Sequence, residues 1–564
     1  MDVIVSVCTS SANLAGALGL ELHALLQHHA DWRWAGDGTQ WYPQVVTYQQ
    51  SRSGDWSPCL EEWVRRLNAD PTRRRAPDRV PERVPDHLPD RVSARTATSV
   101  MSDDAHTWFK RGIALAAQGA HDQAAESFRR SLALRPDSAD VLNELGLTLV
   151  ALGHASEAAT CYQRAIEADS AASRPHYNLA LLLRHDSPVH AEARFREAVR
   201  LNPAFSYAWN GLGLLLHDLR RFDEAEDCYR HALATGPGNW PAHVNYSFTL
   251  LMLGRYREAW PLYEKRHEDR PSPGSDASAV SRPQFDFPRW RGEPLEGRTL
   301  LVWPEQGLGD IIQFIRFVPM LQRLGPGRIT IACWPALEPL LRDSIDGVDW
   351  LTLTPGTAVP AHDAWCFLTS LPLFLDTVPD TLPGPFPYLR APAQRVARAR
   401  LPSACRRVGL VWGSGRNGAF AENGRSVPLY ACQPFLDIDG ITFVSLQMGD
   451  AREELSDLPA TLRPVHVMGN VRDMADTAGL IDGLDLVISV DTSVAHLAGA
   501  LGCPVWILLR HAACWRWMDK RDDSPWYPSA RLFRQPAPGD WDAVVDQVRS
   551  ALLGWAADAG TTQR

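Results

Sequence analysis

The sequence predicts an α-helical repeat solenoid followed by an α/β domain made of two parallel-sheet halves. A partial copy of that domain's C-terminal end stands at the start of the chain. Three observations predict this. A period of 34 residues runs through 104–267. From about residue 296, short β-rich runs alternate with helical stretches, as in a parallel sheet with crossover helices. Residues 2–36 resemble 485–519, sharing Leu-Ala-Gly-Ala-Leu-Gly at 14–19 and 497–502 and Trp-Arg-Trp at 32–34 and 515–517.

The composition bounds the class. The 564 residues are 45% hydrophobic and 22% charged, which suits globular domains with sizeable cores. A net charge of −9 gives no reason to expect a nucleic-acid partner. The ten cysteines include no C-x-x-C pair, so neither a zinc site nor a disulfide framework is signalled. No apolar run approaches the roughly 20 residues that span a bilayer. Residues 3–20 are apolar, yet Asp2 precedes them and the first arginine is Arg33, so a signal peptide is not indicated. The expectation is a cytoplasmic protein without a membrane span.

Taken in order, residues 1–70 hold only the last part of a domain. Cys8 stands where the second copy has Asp491, and Asn13 where it has His496. A half-domain cannot assemble a two-sided cleft, so this copy is read as inactive. Residues 71–103 are a Pro/Arg-rich linker, with proline at every fourth position from 77 to 89. Met101 then opens a new pattern and is a candidate native start.

Within 104–267, Gly112, Gly146, Ala180 and Gly213 mark the first helix of successive repeats. Ala124, Ala158, Ala191, Ala225 and Ala259 mark the second helix, and Phe128, Tyr162, Phe195, Tyr229 and Tyr263 follow each alanine by four residues. Small residues let paired helices approach, aromatics fill the gap to the neighbouring pair, and Pro136, Pro203 and Pro237 end repeats. The third repeat is one residue short between its helices. These spacings resemble the tetratricopeptide repeat, about five copies of it, with the fullest match at Trp209, Leu212, Gly213, Ala225, Tyr229, Ala232 and Pro237. In many relatives the concave face of such a solenoid holds peptide.

Residues 268–295 read as a second linker, rich in Pro, Ser and Gly. Strands are expected at 298–303, 328–333, 348–353, 406–412, 441–446, 484–490 and 504–509, with helices such as 311–324 and 473–482 between them. The proline-rich stretch 383–392 divides an N-terminal half, 296–390, from a C-terminal half, 391–556, and leaves 557–564 as a tail.

Three turns fall at the carboxyl ends of expected strands, where open α/β sheets bind ligands. The first is 304–310, where Gly307 and Gly309 allow a close backbone turn and Asp310 opens a helix. The second is 413–418 with Arg425, where Ser414, Arg416 and Arg425 could surround a phosphate. The third is 491–496, where Asp491, Thr492 and Ser493 lie at a helix N-terminus and His496 one turn on. Each has a plain structural alternative: an N-cap carboxylate, a surface loop, a packed histidine.

The order of the three turns resembles the GT-B glycosyltransferases, and among them the heptosyltransferases of glycosyltransferase family 9. Gly-Leu-Gly-Asp at 307–310 resembles that family's N-terminal motif, and Val-Asp-Thr-Ser-Val-Ala-His-Leu at 490–497 its donor-binding motif. Repeats followed by such a domain also resemble the architecture of protein O-GlcNAc transferases. The resemblance implies an inverting, metal-independent transfer of a hexosyl or heptosyl group from a nucleotide-diphosphate sugar, with no further cofactor. Asp310 would be the general base. Thr492, Ser493, Ser414, Arg416 and Arg425 would meet the diphosphate, Asp491 sugar hydroxyls, and His496 phosphate or sugar. The family's usual lysine in the 413–425 loop is missing, which leaves the donor open. The acceptor would be a protein recruited by the repeats, or alternatively a glycan or lipid-linked saccharide. A non-catalytic repeat scaffold that binds nucleotide sugar is the remaining alternative.

Two Asp-x-Asp triplets, Asp437 to Asp439 and Asp540 to Asp542, read as surface turns or caps rather than metal sites. Trp515, Trp517, Trp526 and Tyr527 read as core before they read as a platform for a nucleobase.

Overall fold

The computed structural model describes residues 104–267, 283, 285–404, 406–415 and 424–558, and the backbone of three strands at 4–7, 22–26 and 45–49. The chain divides into two compact units. One spans 85–271, and the other 272–564 together with 1–84.

The first unit is a solenoid of five helix pairs. They are α1 (Ala105–Ala117) with α2 (His121–Leu134), α3 (Ala139–Ala151) with α4 (Ala155–Ala168), and α5 (Ser173–Leu183) with α6 (Pro188–Leu201). Then follow α7 (Ser206–Asp218) with α8 (Phe222–Thr235), and α9 (Trp240–Met252) with α10 (Tyr256–Tyr263). The glycines work as the period predicts, with one correction to the partner. Three of the aromatics fill the space above the small residue of their own pair, whereas Phe195 meets the next pair, 2.6 Å from a Cβ on Gly211. A Cβ on Gly112, Gly146 or Gly213 would lie 2.5, 2.4 or 2.8 Å from the ring of Phe128, Tyr162 or Tyr229. The turn inside a pair needs one left-handed residue, supplied by Gly119, Gly153, Arg220 and Gly254. The third pair lacks that residue, which is where the repeat is one short.

The second unit holds two parallel sheets. Strands β4 (Thr299–Trp303), β5 (Arg328–Cys333), β6 (Asp349–Thr352) and β7 (Ala364–Phe367) form the first, in the order β6-β5-β4-β7. Strands β8 (Arg406–Val411), β9 (Ile441–Ser445), β10 (Val465–His466), β11 (Leu486–Val490), β12 (Val505–Leu509) and β13 (Ala530–Arg534) form the second, in the order β10-β9-β8-β11-β12-β13. Both begin at a central strand, grow one way and then reverse. The reversals fall between β4 and β7 and between β8 and β11, the doubly-wound pattern whose crevice binds ligands. The described helices of seven or more residues here are α11 (Leu308–Phe314), α12 (Glu338–Ser344), α13 (Met474–Ile481), α14 (Ser493–Ala500) and α15 (Trp541–Asp558).

Sequence reasoning finds seven of these strands and misses β7, β10 and β13. β7 is four wholly buried residues without apolar-polar alternation, and exposed β10 has no apolar alternation either. β13 carries Arg531 and Arg534 among its apolar residues. The helix expected over 311–324 is broken. α11 gives way to a 3-10 turn at Ile315–Phe317 and a second short helix at Val318–Gln322. Pro319 has no N–H to give and crowds the carbonyl four residues back.

The linker assigned to 268–295 also ends earlier than expected. Trp290 is buried and donates its backbone N–H to the Trp365 carbonyl of β7 at 2.7 Å. Phe285 stacks on Phe287 and meets Trp365 edge-on. Residues 285–295 therefore belong to the first sheet's layer.

Strands β1 (Ile4–Val7), β2 (Leu22–Leu26) and β3 (Val45–Gln49) pair in parallel, in that order. Ile4 faces Leu22, and Leu22 faces Val45. In the second copy Val487 faces Val505, and Val505 faces Ala530. These are the aligned positions.

Candidate active site

The site forms where the two sheet reversals meet. From the first sheet, β4 ends at Trp303 and the turn through Gln306, at φ 64, leads into α11. Asp310 lies in the first turn of α11, and its Oδ2 accepts the Gly307 N–H at 2.9 Å. The capping reading is thus correct for one oxygen. The other oxygen, Oδ1, accepts from Arg516 of the second half.

From the second sheet, β11 ends at Val490 and α14 begins at Ser493, with Thr492 as its N-cap. Thr492 Oγ1 bonds Ser489 Oγ at 3.0 Å. The first-turn N–H groups precede the intrahelical ladder and carry the helix's positive end. Asp491 is buried, with its Oδ1 3.9 Å from His496 Nε2. α11 crosses α14 closely enough that a Cβ on Gly309 would sit 2.9 Å from His496 Cδ2 and 3.4 Å from Ser493 Cα. Glycine is therefore required at 309 for contact between the two motif helices rather than for turn geometry.

His496 is held as a packed ring. Its Nδ1 shares a hydrogen bond with the Tyr527 hydroxyl at 2.8 Å, and Trp517 stacks on it at 5.2 Å. Its pKa is pushed down to about 3, chiefly by burial, with Arg516 and Arg425 lowering it as well and Asp310 opposing them. The imidazole is neutral at physiological pH, so a ligand beside it would meet a hydrogen-bonding group, not a cation.

Ser414 follows β8. Its N–H donates to Ser426 Oγ at 3.0 Å, and the two hydroxyls lie 3.2 Å apart. Gln447 fixes the preceding backbone: its Oε1 accepts from the N–H groups of Trp412 and Gly413, at 3.1 and 2.8 Å. The buried Nε of Arg425 has no hydrogen-bond partner among the described residues. Arg416 lies outside the described residues.

Four expected residues are thus brought together across the halves: Gly309, Asp310, Ser493 and His496. Asp491 adjoins His496. Arg425 is close enough to act electrostatically on His496, and Ser414 stands at the same sheet reversal. Sequence reasoning missed Arg516, Gln313 and Gln447. The recurrence of Trp-Arg-Trp in both copies was the available signal for Arg516. Trp515, Trp517, Trp526 and Tyr527 are all buried, as core residues should be. Asp437 and Asp439 are exposed beside a turn, and Asp540 Oδ1 caps α15 through the Ala543 N–H at 3.1 Å.

Residues 440–533 match glycosyltransferase family 9 (heptosyltransferase), and 115–182 and 190–241 match tetratricopeptide repeats. Protein FlbA of Caulobacter vibrioides is 30% identical over 468 residues, 77% of this chain and 76% of its own length. The chain belongs to the FlbA family. This FlbA-family chain is a glycosyltransferase with tetratricopeptide repeats, and its family 9 match spans Asp491, His496 and Arg516. A probable UDP-N-acetylglucosamine–peptide N-acetylglucosaminyltransferase, SPINDLY of Hordeum vulgare, is 27% identical over 135 residues, 22% of this chain and 14% of that protein. The crystal structure of MamA is similar over 27% of this chain and 91% of its own, at 22% identity and TM-score 0.25. Among the described residues no helix is long and apolar enough to cross a membrane.

Proposed function

We propose that this glycosyltransferase has a GT-B fold and moves a sugar from a nucleotide-diphosphate donor to a hydroxyl, with inversion and without a metal. One observation carries the reading: Asp310 at one sheet reversal touches the donor-motif half at the other. The acceptor oxygen bonds to the anomeric carbon as Asp310 takes its proton. The bond from that carbon to the diphosphate oxygen breaks, and its electron pair leaves with the diphosphate. The charge is met by the α14 N-terminus at Thr492 and Ser493 and by Ser414, Arg416 and Arg425. Asp491 and neutral His496 accept or share hydrogen bonds with the sugar.

The acceptor is a protein held by the repeats. Exposed Ile113, Leu147 and Leu181 recur at equivalent positions of the first helices, which supports an apolar recruiting surface. The matching register of β1–β3 and β11–β13 supports residues 1–70 as a partial copy of the α/β unit's C-terminal end. Donors of this class and the free thiols of the described cysteines favour the cytoplasm.

A thermal-shift and turnover screen with ADP-, UDP- and GDP-sugars tests the reading. At least one donor should raise the Tm and release nucleoside diphosphate. Asp310→Ala should retain the Tm shift and lose turnover by about 100-fold or more. A panel that gives neither binding nor turnover ends the proposal.

A further inference from the structure

The Trp-Arg-Trp motif has a role that the reaction scheme leaves unused. Arg516 is buried between the halves and reaches two side chains of α11. It donates to Asp310 Oδ1 and, through Nε, to Gln313 Oε1 at 2.6 Å. These positions are three residues apart and share one face of the helix. The guanidinium is itself fixed: it stacks over Trp515 at 4.5 Å, and NH1 donates to Cys514 Sγ at 3.0 Å. Trp515 meets Trp526 edge-on, while Trp517 supports His496.

We propose that Arg516 is the positioning residue for Asp310, one planar fork from the donor half that sets both the carboxylate and the short helix carrying it. This rests on the proposed role of Asp310 as base. α11 has seven residues, too few to be stable alone. Gly307 and Arg516 occupy one site on each carboxylate oxygen. Each oxygen keeps a further lone pair, so an acceptor hydroxyl can still bind. The pair therefore aims the base without blocking it. Lysine cannot replace the arginine, because a single ammonium lacks the fork that spans Asp310 and Gln313.

The experiment compares the full chain with Arg516→Gln, Arg516→Lys and Gln313→Met. The first readout is hydrogen exchange of amides 308–314, which needs no substrate. Exchange there should quicken in Arg516→Gln and Arg516→Lys, and less in Gln313→Met, while β8 and β11 stay protected. The second readout is kinetics on the donor found in the screen. Arg516→Gln should lower kcat by about 10- to 100-fold, the scale of a misplaced catalytic group, with donor KM unchanged. Unchanged exchange in α11 overturns the proposal. So does a loss that falls on donor KM, or full recovery by lysine. If Arg516→Gln does not fold, Gln313→Met decides by the same exchange readout. A wild type that turns over no donor removes the proposed reaction but leaves the exchange result to judge the clamp.

Discussion

His496 occupies a place where a positive charge is costly. It faces Asp491, Tyr527 and Trp517, and feels Arg516, Arg425 and Asp310. Its pKa falls from 6.5 to about 3 on folding, chiefly through burial. Below about pH 6.5 the unfolded chain therefore takes up a proton that the folded chain refuses until about pH 3. Stability contributed by the neutral ring is complete above that window and is lost as pH falls through it. One such proton is worth about 1.4 kcal/mol per pH unit. His496→Asn, the residue found at position 13 in the first copy, should flatten the fall in stability between pH 6 and 4 by about that slope. Urea denaturation at several pH values reads this directly. An unchanged slope would show that the ring is not the group taking up the proton.

At the scale of elements, the meeting of α11 and α14 is the feature that assembles the site. Gly309→Ala would push a methyl against His496 and the Ser493 backbone. Overpacking of this kind costs about 1–3 kcal/mol. The variant should lower the Tm and weaken donor binding together, as thermal shift with and without nucleotide sugar would record. A fall in Tm with donor affinity kept would mean that the crossing does not shape the donor site. The same crossing explains what could be read from the chain alone. Glycines, a carboxylate and hydroxyls after apolar runs announce strand-turn-helix joints, because each joint is local. The partner of Asp310 was not legible, since Arg516 lies 206 residues away and no local pattern links them. β13 was missed for a similar reason: its ladder to β12 fixes it, and its own two arginines hide the strand pattern. Gly499 was legible only as a kept motif. Its reason, a Cβ that would lie 2.5 Å from the Tyr527 ring, is tertiary.

For the whole molecule, every described site residue falls between 307 and 516, outside both the first copy and the solenoid. Removal of residues 1–100 should leave nucleotide-sugar turnover unchanged. Removal of 1–267 should keep donor binding and slow hydrolysis while abolishing transfer to a protein acceptor. Mass spectrometry of acceptor proteins beside a diphosphate-release assay separates the two outcomes. Transfer that survives loss of the solenoid would assign acceptor choice to the α/β unit.

The ion pair between Asp310 and Arg516 also bears on how such enzymes can change. Two sheets that each carry a complete strand order look like cassettes, free to be exchanged between relatives so that one acquires another's donor. A salt bridge with one end in each cassette removes that freedom. A chimera that keeps Asp310 but receives a C-terminal half without an arginine at 516 would pair its strands normally and still leave Asp310 without that partner. On the proposed reading, new donor specificities should therefore arise by changes that spare this arginine, rather than by shuffling of halves.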